Sequence, residues 1–246
     1  MNQAIDNARE RAHAGIEQAR HDVSEAIAEV KPKLRGWLHA ISTPLIIAAG
    51  TVLITLSPTA ATRIGSSLYV ASALLLFGVS AIYHRGKWSP RVWQFLNRLD
   101  HSNIYLFIAG SYTPFAITLL HGAAQWWMLG VVWTGALIGV ALQLLWPNAP
   151  RWLSAPVYIA LGWAAIFFIP SFLSGAEALG VGIGVAIFVL IVVGGALYTL
   201  GGLVYGFKWP DPAPRSFGFH EVFHSFTVVA FITQYVGVSM ATYALR

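Results

Sequence analysis

Past Gly36 the chain is organised as seven apolar stretches, over 38–57, 66–84, 101–120, 124–146, 152–170, 179–207 and 218–243. Most come close to the roughly 20 residues that an α-helix needs to cross a hydrocarbon core of about 30 Å. The breaks between them carry helix-ending punctuation such as Ser57-Pro58, Trp146-Pro147 and Pro210-Asp211-Pro212. Tryptophans fall near several ends, at Trp37, Trp88, Trp126, Trp127, Trp146, Trp152 and Trp209, where amphipathic rings settle at a membrane interface. The pattern predicts an all-α membrane protein with seven transmembrane helices, forming one domain over 37–246.

The first 36 residues follow a different pattern. They are polar and Ala-rich, and Ala12, Ile16, Ala19, Val23, Ala26 and Val30 recur at alternating spacings of four and three. This predicts a polar helix with a narrow apolar stripe, lying on the membrane or on the rest of the chain. A coiled-coil contact is the alternative, weakened by the small stripe residues. No apolar core of signal-peptide type is present in this segment. Between the second and third stretches, Ser89 and Pro90 predict the start of a short interfacial helix with Val92, Phe95, Leu96 and Leu99 on one face. In the sixth stretch, Gly180/Gly184 and Gly202/Gly206 have the spacing that lets helices approach closely.

Composition supports the membrane reading. Hydrophobic residues make up 57% of the chain and charged residues 10%, against about 25% charged in an ordinary globular domain. Cysteine is absent, which excludes disulfides and thiolate metal sites. The 15 Lys and Arg outnumber the 10 Asp and Glu, but their distribution follows membrane topology and gives no reason to invoke nucleic acid. With seven spans and the N-terminus in the cytosol, the inner segments hold Lys31, Lys33, Arg35, Arg85, Lys87, Arg91, Arg98, Arg151, Lys208 and Arg215. Only Arg63 and Arg246 then face outward. The positive-inside rule therefore predicts a cytosolic N-terminus, an outside C-terminus and a place in the plasma membrane.

Ionisable residues at membrane depth are costly, and they mark functional sites by default. Ser80 and His84 lie four apart at the cytosolic end of the second span. Asp100 lies at the start of the third, and His220 and His224 lie four apart at the start of the seventh. An i, i+4 pair shares one helix face, and this topology puts all five residues at one membrane face. Three imidazoles with an open water position make a catalytic zinc arrangement, and Asp100 and Ser80 stand beside it. Each residue also has a simpler reading. Asp100 could cap a helix, Ser80 could bond between helices, and a lone His84 could be solvated.

His220-Glu221-Val222-Phe223-His224 matches H-E-x-x-H literally, but no His, Asp or Glu follows to complete a soluble zinc protease. An intramembrane protease would need its third ligand from upstream. Glu221 lies one residue off the histidine face and reads as a surface or capping charge. His101 points about 100° away from Asp100 and is left out of the metal shell. His13, His21, His39 and His121 show no partner pattern.

Four segments occur in order: Ser80-Ala-Ile-Tyr-His84, Leu99-Asp100-His101-Ser102-Asn103-Ile104-Tyr105, Ala109-Gly110-Ser111-Tyr112-Thr113-Pro114-Phe115 and His220-Glu221-Val222-Phe223-His224. Together they resemble the bacterial hemolysin III branch of the progestin and adipoQ receptor superfamily, to which the adiponectin receptors belong. The resemblance spans about 37–243. It implies seven helices with the N-terminus inside, and zinc held by His84, His220 and His224, with Asp100 and Ser80 near its water. It also implies hydrolysis of a lipid amide such as ceramide, although the lipid specificity of the receptors does not carry over to a bacterial-type chain. Glu221 varies within the superfamily, which weakens it as a general base.

The leading expectation is a zinc-dependent hydrolase acting on a lipid amide or ester, with membrane lipids as substrate and catalysis by Asp100 and Ser80. The alternatives are a zinc-stabilised membrane sensor or receptor-like protein without enzymatic activity, and, ranked last, a cytolysin. Three imidazoles suit zinc, but copper, iron and nickel also bind them.

Overall fold

The computed structural model describes residues 32–146 and 151–246. Among the described residues, eight α-helices and one 3-10 turn make up seven successive spans. They are α1 (Trp37–Leu56), α2 (Ala60–Arg85), α3 (Pro90–Leu119), α4 (Gly122–Leu145), α5 (Arg151–Gly162), the 3-10 turn Ala164–Phe168, α6 (Ile169–Ala178), α7 (Val181–Phe207) and α8 (Phe219–Tyr243). Helix α5, the turn and α6 together form the fifth span. Each span packs on the next and α8 returns to α1, while α3 also touches α5, α6 and α8 and so lies inside the ring.

That inner position explains why α3 is the one span not apolar enough to be recognised by hydropathy; the other six are. Its polar side chains face protein, with Asp100, Ser102, Asn103, Ser111 and Thr113 all buried. Asn103, for example, donates to the Leu75 carbonyl of α2 at 2.9 Å. The outer helices show the reverse pattern. Leu45, Ile138, Phe167 and Val185 are exposed, an apolar surface that lipid solvates and water would not. The chain is a multi-pass membrane protein.

Several expectations are corrected. The predicted interfacial helix is not separate: Pro90 begins a 30-residue helix that runs through to Leu119. At 1.5 Å per residue it is about 45 Å long, which exceeds the hydrocarbon core and carries its first turns beyond it. Ser89 occupies the cap position without a side-chain cap bond. Asp100 is mid-helix and does not cap anything. The polar helix expected over 1–36 falls, for residues 1–31, outside the described residues, and residues 33–36 form a turn. The fifth span is interrupted after Gly162, and its freed carbonyl accepts a hydrogen bond from Tyr112 of α3.

Of the four glycines singled out in the sixth stretch, Gly184 and Gly202 sit at close approaches. A Cβ on Gly184 would lie 2.2 Å from the Ala176 carbonyl oxygen, and one on Gly202 would lie 3.2 Å from Ile159. Gly180 instead makes the turn into α7.

Candidate metal centre

The site lies at one end of the bundle, where α2 finishes and α8 begins. His84 is in the last turn of α2, and His220 and His224 occupy the first two turns of α8. One ligand atom from each of the three lies within 4.8 Å of the others. His84 Nε2 and His220 Nε2 are 3.1 Å apart, close to the ~3.3 Å separation of two nitrogens on a tetrahedral ion with bonds of about 2.0–2.1 Å. His84 and His224 are buried and His220 is half-buried. Three imidazoles packed together, away from water, with atoms converging on one point, suit a divalent transition metal. This cluster could hold a metal ion.

Asp100 and Ser80 adjoin it. The Asp100 carboxylate reaches within 3.7 Å of His84 Nε2, and the Ser80 hydroxyl interacts with that carboxyl. Both are buried. His101 turns elsewhere. Its Nδ1 is 2.7 Å from the Asn97 carbonyl and its Nε2 is 3.1 Å from the Tyr205 hydroxyl. The carbonyl can only accept, so Nδ1 carries a proton and donates to it.

Three side chains at the site could not be placed from spacing. Glu221 is buried, 1% exposed, and not on the surface. Its Oε2 accepts from the Gly218 amide at 2.8 Å, closing a cap on α8, while Oε1 takes the Arg35 guanidinium. Arg35 comes from the segment leading into α1. That segment is tied to the α7–α8 connection by Lys33 N to Arg215 O and Leu34 N to Ser216 O, both 3.2 Å. The start of α8, which carries two of the three histidines, is therefore clamped from outside. Next in the chain, Gly36 adopts a left-handed φ of +79° and passes so near His84 that a Cβ would lie 2.7 Å from the His84 Cβ. The third, His39 of α1, is buried against His224, although no pattern in the sequence marks it. Its partner is nearly two hundred positions away, beyond the reach of any local periodicity.

Ser80, Asp100, His220 and His224 all line one cavity of about 180 Å³. From the histidines it runs between α3, the fifth span, α7 and α8 as far as Phe172 and Phe188, with mostly apolar walls. Trp163, Ile166 and Val192 both line it and are exposed on the outer surface.

Comparison with known proteins agrees with this arrangement. A family described as Haemolysin-III related matches residues 27–235. The chain is 31% identical over 193 residues to "Hemolysin-3" of Bacillus cereus, covering 77% of this chain and 82% of that protein. It is 30% identical over 162 residues to "Hemolysin-3 homolog" of Bacillus subtilis (strain 168), covering 66% and 70% respectively. With these matches across most of its length, the chain belongs to the haemolysin-III related family.

Proposed function

We propose that the protein is a zinc-dependent membrane hydrolase that cleaves a lipid amide or ester at the end of the bundle holding His84, His220 and His224. The observation that carries this reading is that His220 and His224 of the cluster, together with Asp100 and Ser80, line one cavity with mostly apolar walls. A purely structural metal site is closed on all sides, whereas a catalytic one keeps a position facing substrate.

Zinc held by three imidazoles would supply a water acidified to a pKa near 7 as the nucleophile. The residues would do the rest. The Asp100 carboxylate, beside the cluster but not within its triangle of ligand atoms, takes the proton of the attacking water and returns it to the leaving amine or alcohol. The Ser80 hydroxyl donates to that carboxylate and, once Asp100 has taken the proton, is free to donate instead to charge developing on the carbonyl oxygen. The cavity walls take the acyl chain, and the opening at Trp163, Ile166 and Val192 admits it sideways from the bilayer.

Orientation belongs to the same proposal. Arg35, Arg85, Lys87, Lys208 and Arg215 lie at the site end of the helices, whereas Arg63 and Arg246 cap the opposite end by bonding to the carbonyls of Ser57 and Leu56. The positive-inside rule then puts the N-terminus and the site at the cytosolic face of the plasma membrane, with membrane lipids as substrate.

A second reading is that the metal only ties α2 to α8 in a sensor without enzymatic activity. The lytic activity suggested by the relatives' names would need a polar path through the bundle, and the cavity walls are mostly apolar. The test is elemental analysis of the detergent-purified chain beside a His220→Ala/His224→Ala variant, followed by hydrolysis assays on long-chain lipid amides and esters. Zinc in the parent alone, with turnover, supports the proposal. Zinc without turnover of any such lipid leaves the structural reading, and no metal in either protein overturns both.

A further inference from the structure

His39 enters the centre from α1, a helix that contributes none of the three converging histidines. Its ring lies face to face with His224, centroids 3.8 Å apart and planes 10° from parallel, and Phe77 meets it edge-on at 4.7 Å. The ring is 2% exposed, and neither nitrogen has a hydrogen-bond partner among the described residues. The neighbouring hydroxyls do not reach it, since Ser42 and Thr43 donate to the carbonyls of Leu38 and His39 within α1. Among the described residues, packing that includes these two ring contacts, and no hydrogen bond, holds the His39 ring in place.

The same contacts constrain His224. A histidine ring turns broadly about its second side-chain torsion, and a ligand ring must be held within about 10–20° of its working orientation. His220 and His84 approach His224 at angles of 57° and 59° and do not cover its face. The parallel plate of His39 does cover it. Rotation of the His224 ring out of plane would collide with a side chain that is itself backed by Phe77.

We propose that His39 is a positioning residue of the centre: by stacking on His224 it holds that imidazole in the plane that aims its nitrogen at those of His84 and His220. The inference rests on the metal-binding reading above. It makes the affinity of the centre depend on a histidine that is not a ligand.

The experiment compares His39→Phe, which keeps a flat ring, with His39→Leu, which fills similar space without a face. It uses the full chain in detergent. Zinc affinity is read by chelator competition, and site geometry by the visible absorption of the cobalt(II)-loaded protein. The leucine variant is expected to bind zinc about tenfold more weakly or worse, the scale set by partners that orient metal ligands, with altered cobalt bands. The phenylalanine variant should stay near the parent in both. A leucine variant with parental affinity and spectrum overturns the inference while leaving the metal reading intact. A phenylalanine variant as impaired as the leucine one also overturns it, since the ring nitrogens would then be what matters. If the leucine variant does not fold, His39→Met makes the same comparison. Parental zinc binding by the His220→Ala/His224→Ala control would instead overturn the metal reading itself.

Discussion

The Asp100 carboxylate lies 3.7 Å from His84 Nε2, beyond hydrogen-bond reach but within ion-pair distance. It approaches the imidazole cluster from α3 while the cluster itself is built from α2 and α8. Its oxygens do not join the three ligand atoms that all fall within 4.8 Å of one another. This is where a group handling protons beside a metal should stand.

Asp100→Asn keeps the shape of the side chain and removes its charge. The variant is expected to retain parental zinc content while hydrolysis of the best lipid amide or ester falls by about 10²–10⁴-fold, the range for a lost general acid–base. Metal analysis beside a steady-state assay checks both halves. Zinc lost together with activity would make Asp100 a ligand, and undiminished activity would remove it from the mechanism.

Glu221 is a clamp on the start of α8, which bears two of the three histidines. Replacing it with Ala strands Arg35 and opens the cap at Gly218. Removing one partner of a buried pair costs about 3–5 kcal/mol, and Arg35 retains some exposure, so a loss near the lower end is expected. Glu221→Gln can still accept from the Gly218 amide, and the expected loss is about 1–2 kcal/mol. Thermal unfolding in detergent ranks the three proteins. An alanine variant as stable as the parent would contradict the clamp.

The membrane helices and the two polar pairs were legible in the sequence because each depends on local periodicity. Twenty-residue apolar runs mark spans, and i, i+4 spacing puts Ser80 with His84 and His220 with His224 on shared faces. What was not legible depends on contacts between distant segments. Asp100 taken alone reads as a cap because it stands at the start of the third apolar stretch, yet α3 is enclosed by neighbours and carries the polar residues from Asn97 to Asn103 without breaking. Glu221 reads as a surface or capping charge because it is one position off the histidine face; the cap on Gly218 is there, but the burial of Glu221 is not legible. Its counter-charge, Arg35, lies in a connecting segment where no period links the two. His39 has no polar neighbour at helical spacing, and only the return of α8 to α1 reveals its partner.

Gly36 should resist substitution for two separate reasons. Its φ of +79° is left-handed, costing a residue with a Cβ about 1–2 kcal/mol. That Cβ would also stand 2.7 Å from the His84 Cβ and 3.2 Å from the Arg85 side chain. Gly36→Ala is therefore expected to lower thermal stability and to weaken zinc binding together, because the displaced atom belongs to one of the three histidines. Zinc affinity equal to the parent in a destabilised Gly36→Ala protein would show that His84 tolerates the shift.

Metal removal should loosen the bundle at one end. The three histidines bridge the last turn of α2 and the first turns of α8, which in sequence are separated by four spans. An ion bound only by the folded state adds stability as RT ln(1 + [L]/Kd), about 4 kcal/mol when free metal exceeds Kd a thousandfold. Chelator treatment is therefore expected to lower the unfolding temperature of the parent, and added zinc should restore it. The His220→Ala/His224→Ala protein should unfold at one temperature with or without zinc, which separates binding at this centre from nonspecific effects of the ion. If the parent unfolds at the same temperature in chelator and in excess zinc, these imidazoles do not join α2 to α8 through a metal.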